Sequence, residues 1–367
     1  MRTRRRLRPR QFIAAVVALT VLVIAGICTL PHDRYVRFKS LRDNAVIKAG
    51  WIYERIHFDP TPIDVVFVGS SHTVFGVDSA RVESQYLATT GRDLHIVNLA
   101  MPHLGRDLQY VLAREVLQTR SVKLLVIEVQ EDESRSLHPA FASLAESGDI
   151  ITAPLLINTN FFDNLAHLPM RQLRLFIHSI APGLFGESID FDPATYPGAH
   201  WDDTYQEHPA ADATTVAPPR LESHSAEQLE QERQHLDRMI ASKLMLPDAL
   251  KGLETRANLN YLHRMLDVAG QARVPVRFLY MPDYAAHVLP RFQSVYQAYG
   301  PLWYPQDVYR HLAWWLDVGH LNNYGAEALS DWLAKALSNE PASLAALPAV
   351  GGQENCKYKQ ACGQRLP

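Results

Sequence analysis

The residues best suited to chemistry are a serine early in the chain and an aspartate–histidine pair near its end. Ser71 follows the apolar run 65–68 and Gly69, and Asp317 and His320 lie three apart in the segment LDVGHLNN. A serine hydroxyl is a weak nucleophile until a base removes its proton. A histidine can take that proton while an aspartate holds its tautomer and supports the cation. These residues predict catalysis through an acyl-serine, with Ser71 as nucleophile, His320 as base and Asp317 as its orienting partner.

Alternating apolar and amphipathic segments indicate how the chain positions these residues. Strands are predicted at 63–68, 94–97, 122–129 and 274–280. Helices are predicted at 78–89, 106–119, 225–246 and 254–269, the last stopping at Gly270, and a final helix begins near Asn322 or Asn323. Short apolar strands separated by helices predict a mostly parallel α/β sheet covered by helices. Ligands of such sheets bind outside the carboxyl ends of the strands, where Ser71 falls.

The N-terminus predicts a membrane anchor. Residues 1–10 hold six arginines and no acid, and residues 11–30 carry no charge. At 1.5 Å per residue, twenty residues span a hydrocarbon core of about 30 Å. The apolar run is longer than that of a usual cleavable signal, and no small-x-small site follows it. Ile27 before Cys28 also fits a lipoprotein cleavage site poorly, so an uncleaved single-pass helix in the lipid bilayer is favoured.

The charge pattern predicts that the rest of the chain is exported. The arginine cluster is expected to stay in the cytoplasm, although four basic residues just beyond the helix weaken the contrast. The expected location is the inner (cytoplasmic) membrane, with the C-terminal domain in the periplasm or outside the cell. Cys356 and Cys362 could close a small disulfide loop in an oxidising compartment, or they could be two unrelated surface thiols.

Composition divides the chain and excludes some functions. We expect a basic cytoplasmic segment at 1–10, an anchor at 11–30, a juxtamembrane stalk at 31–62, an α/β domain at 63–338 and a flexible tail at 339–367. A Pro- and His-rich insertion at about 134–250 is expected to cap or border the site. A net charge of −3 argues against a nucleic-acid partner. The spacing of His200 and His208 matches no metal-ligand motif, so solvated loop residues are favoured and no metal or cofactor is expected.

On these motifs the sequence resembles the SGNH/GDSL hydrolase superfamily. The first family block, Gly-Asp-Ser, resembles Gly69-Ser70-Ser71, and the last block, Asp-x-x-His, resembles the segment from Asp317 to His320. The stretch HIVNLAMPHLGRDL resembles the second block and implies Gly105 as an oxyanion-hole residue. The resemblance covers roughly 63–129 and 274–337. It implies a three-layer α/β/α, flavodoxin-like parallel sheet with an insertion.

Two departures from the family pattern affect the expected activity. Ser70 stands where the first block has an aspartate, as in membrane-anchored periplasmic members. The third block should supply an asparagine to the oxyanion, yet the chain reads VIEVQEDES. Glu131 or Asp132, if ionised, would repel an oxyanion, whereas the side chain of Gln130 could donate a hydrogen bond to it.

The resemblance implies a serine esterase or an O-acyltransferase, with O-acetyl the expected group. Membrane-anchored members of this kind accompany membrane-bound O-acyltransferases and modify envelope polysaccharides, which makes a carbohydrate or acyl ester the expected substrate. The alternative is a non-catalytic carbohydrate-binding or scaffolding subunit of such a system.

Other residues near the motifs have two interpretations each. His72 could contact substrate or order the turn, and Asn98 could contact substrate or cap a strand end. An aromatic cluster could stack on sugar rings, although core packing is favoured; it comprises Trp303, Tyr304, Trp314 and Trp315.

Overall fold

A five-stranded, all-parallel sheet forms the centre of the protein. The computed structural model describes residues 9–41, 48–131, 137–155, 158–185, 189–201, 222–242, 253, 256–286 and 289–340. The strands are β1 Val65–Val68, β2 Ile96–Asn98, β3 Leu124–Glu128, β4 Val276–Leu279 and β5 Leu302–Trp303. They lie in the order β2-β1-β3-β4-β5. Because Val65 pairs with both Ile96 and Leu124, β1 lies inside the sheet.

Fourteen α-helices are assigned in the described residues. The first eight are α1 Pro9–Cys28, α2 Arg34–Lys39, α3 Lys48–His57, α4 Ser71–Gly76, α5 Ser79–Thr90, α6 Arg106–Thr119, α7 Phe141–Leu144 and α8 Ser147–Ile151. The other six are α9 Phe161–Ile180, α10 Ala226–Ser242, α11 Arg256–Ala272, α12 Gln293–Gln297, α13 Gln306–Tyr309 and α14 Asn323–Ser338. Short 3₁₀ turns occur at Pro182–Phe185 and Leu312–Trp314.

Alternate strand residues point to opposite sides, so both faces of the sheet are apolar and helices cover each of them. Val66, Val68, Leu125 and Ile127 join one buried cluster, to which α6 and α11 contribute. Val65, Phe67, Leu124 and Val126 join the other, to which α5 and α14 contribute. The observed α/β class and parallel sheet agree with the expectation from periodicity, and α6 begins and ends at the predicted residues.

Several boundaries differ from the sequence-based expectation. The helix predicted to stop at Gly270 continues to Ala272, and the helix predicted at 225–246 is observed as α10, with residues 243–250 outside the described ranges. Strand β5 was not predicted because two residues are too few to show a period. Most of the basic segment, parts of the insertion and residues 341–367 of the tail lie outside the described residues.

Residues 31–41 and 48–62 are part of the folded body, which contradicts their assignment to a stalk. Phe38 of α2 and Trp51, Ile52 and Ile56 of α3 are almost fully buried in the cluster shared with α6 and the sheet. Their charged neighbours made the segment look solvated. Arg37 is itself buried and donates to Glu146 at 2.7 Å, which shows why the charge pattern was misleading.

Helix α1 is long and apolar enough to cross a membrane. None of its residues is buried by the rest of the protein. A helix with apolar residues on all sides avoids water only within a bilayer or against other chains. By its length and composition, α1 fits the predicted single-pass segment.

Candidate active site

Ser71 is held at the carboxyl end of β1 by a tight turn into α4. The strand ends at Val68, Ser70 caps α4, and Ser71 is the first residue of that helix. Gly69 is required at the turn because an added Cβ would collide with Thr73 and with the carboxylate of Glu128. The small residues at 69–71, just after β1, therefore allow close packing beneath Ser71.

Glu128 fastens this turn to the neighbouring strand. Its side chain comes from the end of β3, and the residue is 2% exposed. It accepts hydrogen bonds from the backbone N–H of Ser70 at 2.7 Å, from Ser70 Oγ at 2.6 Å and from Thr73 Oγ1 at 2.5 Å. Sequence reasoning missed Glu128, although an acid inside the apolar run LLVIEV was a visible signal. Glu128 therefore brings a carboxylate from the end of β3 into contact with Ser70 and Thr73.

The structure brings Ser71, His320 and Asp317 together in one chain of hydrogen bonds. His320 Nε2 lies 2.8 Å from Ser71 Oγ, and His320 Nδ1 lies 2.9 Å from both carboxylate oxygens of Asp317. Because an ionised carboxylate only accepts, the network assigns the proton to Nδ1 and leaves Nε2 to accept from the serine hydroxyl. This is the arrangement a base needs to activate a serine.

Asp317 is prepared to remain ionised. Its Oδ1 accepts the backbone N–H groups of Gly319 at 2.8 Å and His320 at 2.9 Å. Burial by itself would raise the pKa of the Asp317 carboxyl. The hydrogen bond and charge of His320, together with the two backbone N–H groups, outweigh burial and lower that pKa below its usual value.

The loop that carries Asp317 and His320 is fixed from two sides. Asn322 caps α14 by accepting the N–H of Gly325 at 3.1 Å, which sets where the loop ends. From the insertion, Glu232 of α10 accepts the N–H of Val318 at 2.9 Å. Helix α10, in the described part of the insertion, thus contacts the loop that carries Asp317 and His320.

His72 lies beside the triad in a paired environment of its own. Its Nε2 is 3.2 Å from Asp283 Oδ1, its Nδ1 is 3.2 Å from Met281 O, and its ring is 5.6 Å from that of His320. Burial by itself would lower the pKa of His72. The hydrogen bond to Asp283 and the charge of Glu128 outweigh burial and raise the pKa to about 9. Both ring nitrogens of His72 lie near acceptor oxygens, an arrangement that favours the protonated ring.

Asn98 braces the turn, and its prediction as a substrate contact is wrong. The side chain is buried, and its Nδ2 donates to Thr73 O at 2.9 Å and Val77 O at 3.0 Å. Its Oδ1 accepts the N–H of Ala100 at 3.0 Å. With these bonds made inside the protein, Asn98 ties the end of β2 to α4.

The predicted oxyanion residues, Gly105 and Gln130, are less directly connected to Ser71 than His320 is. Gly105 precedes α6, and an added Cβ there would collide with His138. Gln130 is buried; its Nε2 lies 3.5 Å from Glu128 Oε1, and its carbonyl accepts from Arg106 at 3.1 Å. Within the ranges described above, neither Gly105 nor Gln130 forms a hydrogen bond to Ser71.

Glu131, the first acid after β3, bonds to the loop at Arg291 and Phe292. Glu131 accepts the backbone N–H groups of Arg291 at 2.6 Å and Phe292 at 2.7 Å, so its charge serves that loop. The predicted repulsion of an oxyanion by Glu131 therefore loses its basis. Asp132 lies outside the described residues.

The remaining candidate groups are engaged elsewhere or lie outside the described ranges. Of the aromatic cluster, Trp315 is buried, and the others contact neighbouring rings: Trp303 with Trp332, Tyr304 with Tyr280 and Trp314 with His311. His200 pairs with Glu83 at 3.1 Å, and no metal-binding group of His, Cys, Asp and Glu occurs among the residues described. His208, Cys356 and Cys362 fall outside them.

A scan of protein-family models finds no match to this chain, and a search of curated proteins finds no similar sequence.

Proposed function

We propose that this protein is a serine-dependent acyl-ester hydrolase or O-acyltransferase of the SGNH type. The observation that carries the proposal is the continuous hydrogen-bond chain from Asp317 through His320 to Ser71. The parallel sheet, with Ser71 after its first strand and His320 just before its last helix, supports the same assignment.

Each step of the proposed reaction is assigned to a residue of the site. Ser71 Oγ attacks the acyl carbon while His320 Nε2 takes the hydroxyl proton, and Asp317 supports the resulting imidazolium. The ester C–O bond then breaks, and His320 returns the proton to the departing alkoxide, which leaves an acyl-serine. The N–H groups of Ser71 and Gly105 are proposed to hold the oxyanion, with Gln130 as a further donor. Neither step requires a metal or cofactor.

The second half of the reaction decides between hydrolysis and transfer. His320 removes a proton from water or from a sugar hydroxyl, and the new oxygen attacks the acyl carbon to release Ser71. We propose an acetyl group and an exported or envelope polysaccharide as the acceptor. A bilayer-spanning α1, with the C-terminal domain in the periplasm or outside the cell, would place the site near that polymer. A membrane-bound O-acyltransferase is the proposed partner and acyl donor.

A second candidate function is that of a non-catalytic carbohydrate-binding or scaffolding subunit. The observation in its favour is the missing third-block asparagine, since Gln130 is buried and its amide is directed at Glu128. Loss of one oxyanion donor typically costs about 10²–10³ in rate, which reduces catalysis without abolishing it. The triad contacts favour the enzyme.

A fluorophosphonate probe separates the two candidates. The probe bonds to an activated serine oxygen and loses fluoride, so the enzyme is expected to carry one label at Ser71. Ser71→Ala should abolish labelling, His320→Ala should slow it, and Ser84→Ala provides a matched control at an exposed serine. A folded parent protein without label would contradict the enzyme and favour the non-catalytic subunit.

A further inference from the structure

Helix α9 presents a row of apolar side chains to the outside of the protein. Positions three or four residues apart along one face are apolar, and the large exposed ones are Phe162, Leu165, Met170, Ile177 and Ile180. Phe162 is 72% exposed, Met170 69% and Ile180 64%. The opposite face buries Leu168, Gln172 and Leu175 against the body. We call the exposed row the apolar stripe of α9.

The apolar stripe continues beyond the end of the helix. Leu184 and Phe185, in the 3₁₀ turn that follows α9, are 81% and 44% exposed. Helix α8, which packs on α9, ends at the exposed Ile151. Single exposed apolar residues are ordinary on protein surfaces. A continuous row of them instead marks a site that another protein or a membrane covers.

The position of α9 relative to α1 indicates what covers the apolar stripe. Gln172 Nε2 donates to Leu30 O at 3.0 Å, two residues beyond the end of α1. The N–H of Asp33 donates to Ser179 Oγ at 2.8 Å, and α1 itself packs on α9. Since Leu30 follows the segment long enough to cross a bilayer, these bonds hold α9 at the level where the chain would leave the membrane.

We propose that α9 and the turn after it rest in the surface of the same bilayer that α1 enters, with the apolar stripe among the lipid acyl chains. The proposal rests on the anchoring role of α1 put forward above. Arg174 is exposed one turn after Met170, where its guanidinium can meet lipid phosphate. A helix with an apolar face and a cationic side chain beside it is typical of segments that lie in the interface. The body is therefore held at two places and has a fixed orientation to the membrane.

Lipid contact can be measured site by site in the full chain. Cys28, Cys356 and Cys362 are replaced by serine, and one reporter cysteine carries an environment-sensitive fluorophore. Met170→Cys and Ile180→Cys report on the apolar stripe, Leu22→Cys on the anchor, and His167→Cys on the polar edge of α9. Leu87→Cys is the matched control, an exposed apolar residue on α5. Each protein is placed in phosphatidylethanolamine–phosphatidylglycerol vesicles at about one chain per vesicle, with or without nitroxide lipid.

The expected result is a loss of about half of the emission at positions 170 and 180, as at position 22, with little loss at 167 and 87. Emission at 170 and 180 that matches position 87, while position 22 is quenched, would overturn the interfacial placement and leave the anchor intact. An unquenched label at position 22 would instead overturn the anchor, and the placement of α9 with it. If a second protein copy covers the apolar stripe instead, the emission at 170 and 180 would likewise match that at position 87, because each vesicle holds one chain.

Discussion

At the scale of single residues, the serine turn depends on Glu128. We expect Glu128→Gln to lower the free energy of unfolding by about 2–4 kcal/mol, because an amide presents one acceptor oxygen to three donors and adds an N–H₂ group among them. Urea unfolding of the purified protein measures the change. Glu327→Gln is the matched control, since it alters an acid paired with Arg81 at the surface, where ion pairs contribute about 0–1 kcal/mol. Equal midpoints for the two variants would contradict the role given to Glu128.

His72 is expected to be the cation next to the triad. Its folded pKa of about 9 lies above the ordinary value of 6.5, so its stabilising contribution is complete below pH 6.5 and is lost as pH rises through 9. The difference corresponds to roughly 3 kcal/mol. Asp283→Asn removes the main partner and should bring the His72 titration down towards 6.5. NMR titration of the ring protons measures both values, and a parent His72 that titrates near 6.5 would refute the pairing.

At the scale of elements, the cap of α14 fixes the loop that carries His320. Asn322→Ala removes the bond to Gly325 and the bond from Nδ2 to Ala313 O at 2.9 Å, so we expect about 1–2 kcal/mol of destabilisation. Activity should fall as well, because His320 lies two residues before the cap. Thermal unfolding and ester turnover measure the two effects. Asn339→Ala at the other end of α14 is the control. An equally large loss of stability and turnover in that variant would contradict a specific role for the Asn322 cap.

The elements also show how much of the fold could be predicted from the sequence. Short apolar runs predicted four of the five strands, amphipathic patterns predicted α5 and α6 closely, and the beginning of α14 was predicted near Asn322 or Asn323. The contacts of Asn98, Glu128 and Glu131 could not be predicted, because each joins segments far apart in the chain. The triad residues were predictable since serine, aspartate and histidine each occupy a recognisable place in an α/β order. Their mutual distances came only from the fold.

At the scale of the whole molecule, residues 33–41 and 48–62 belong to the body. A chain that begins at Asp33 keeps α2 and α3 and should fold, whereas a chain that begins at Ile63 should not. The shorter chain loses four buried side chains, Phe38, Trp51, Ile52 and Ile56, each worth about 1.5–3 kcal/mol. That loss is comparable with the whole stability of a typical domain, about 5–15 kcal/mol. Near-ultraviolet circular dichroism and size-exclusion chromatography distinguish the two; a folded 63–367 chain would restore the stalk interpretation.

The most direct test of the central claim is turnover of a chromogenic short-chain acyl ester by the full chain, with an acetyl-accepting polysaccharide added in a parallel reaction. The parent protein should release the chromogen, and Ser71→Ala and His320→Ala should each lower kcat/KM by at least about 10³-fold, while Ser84→Ala leaves it unchanged. Acetyl found on the sugar in preference to water would establish transfer. Turnover that survives in folded Ser71→Ala, or that is absent from the folded parent, would contradict the account.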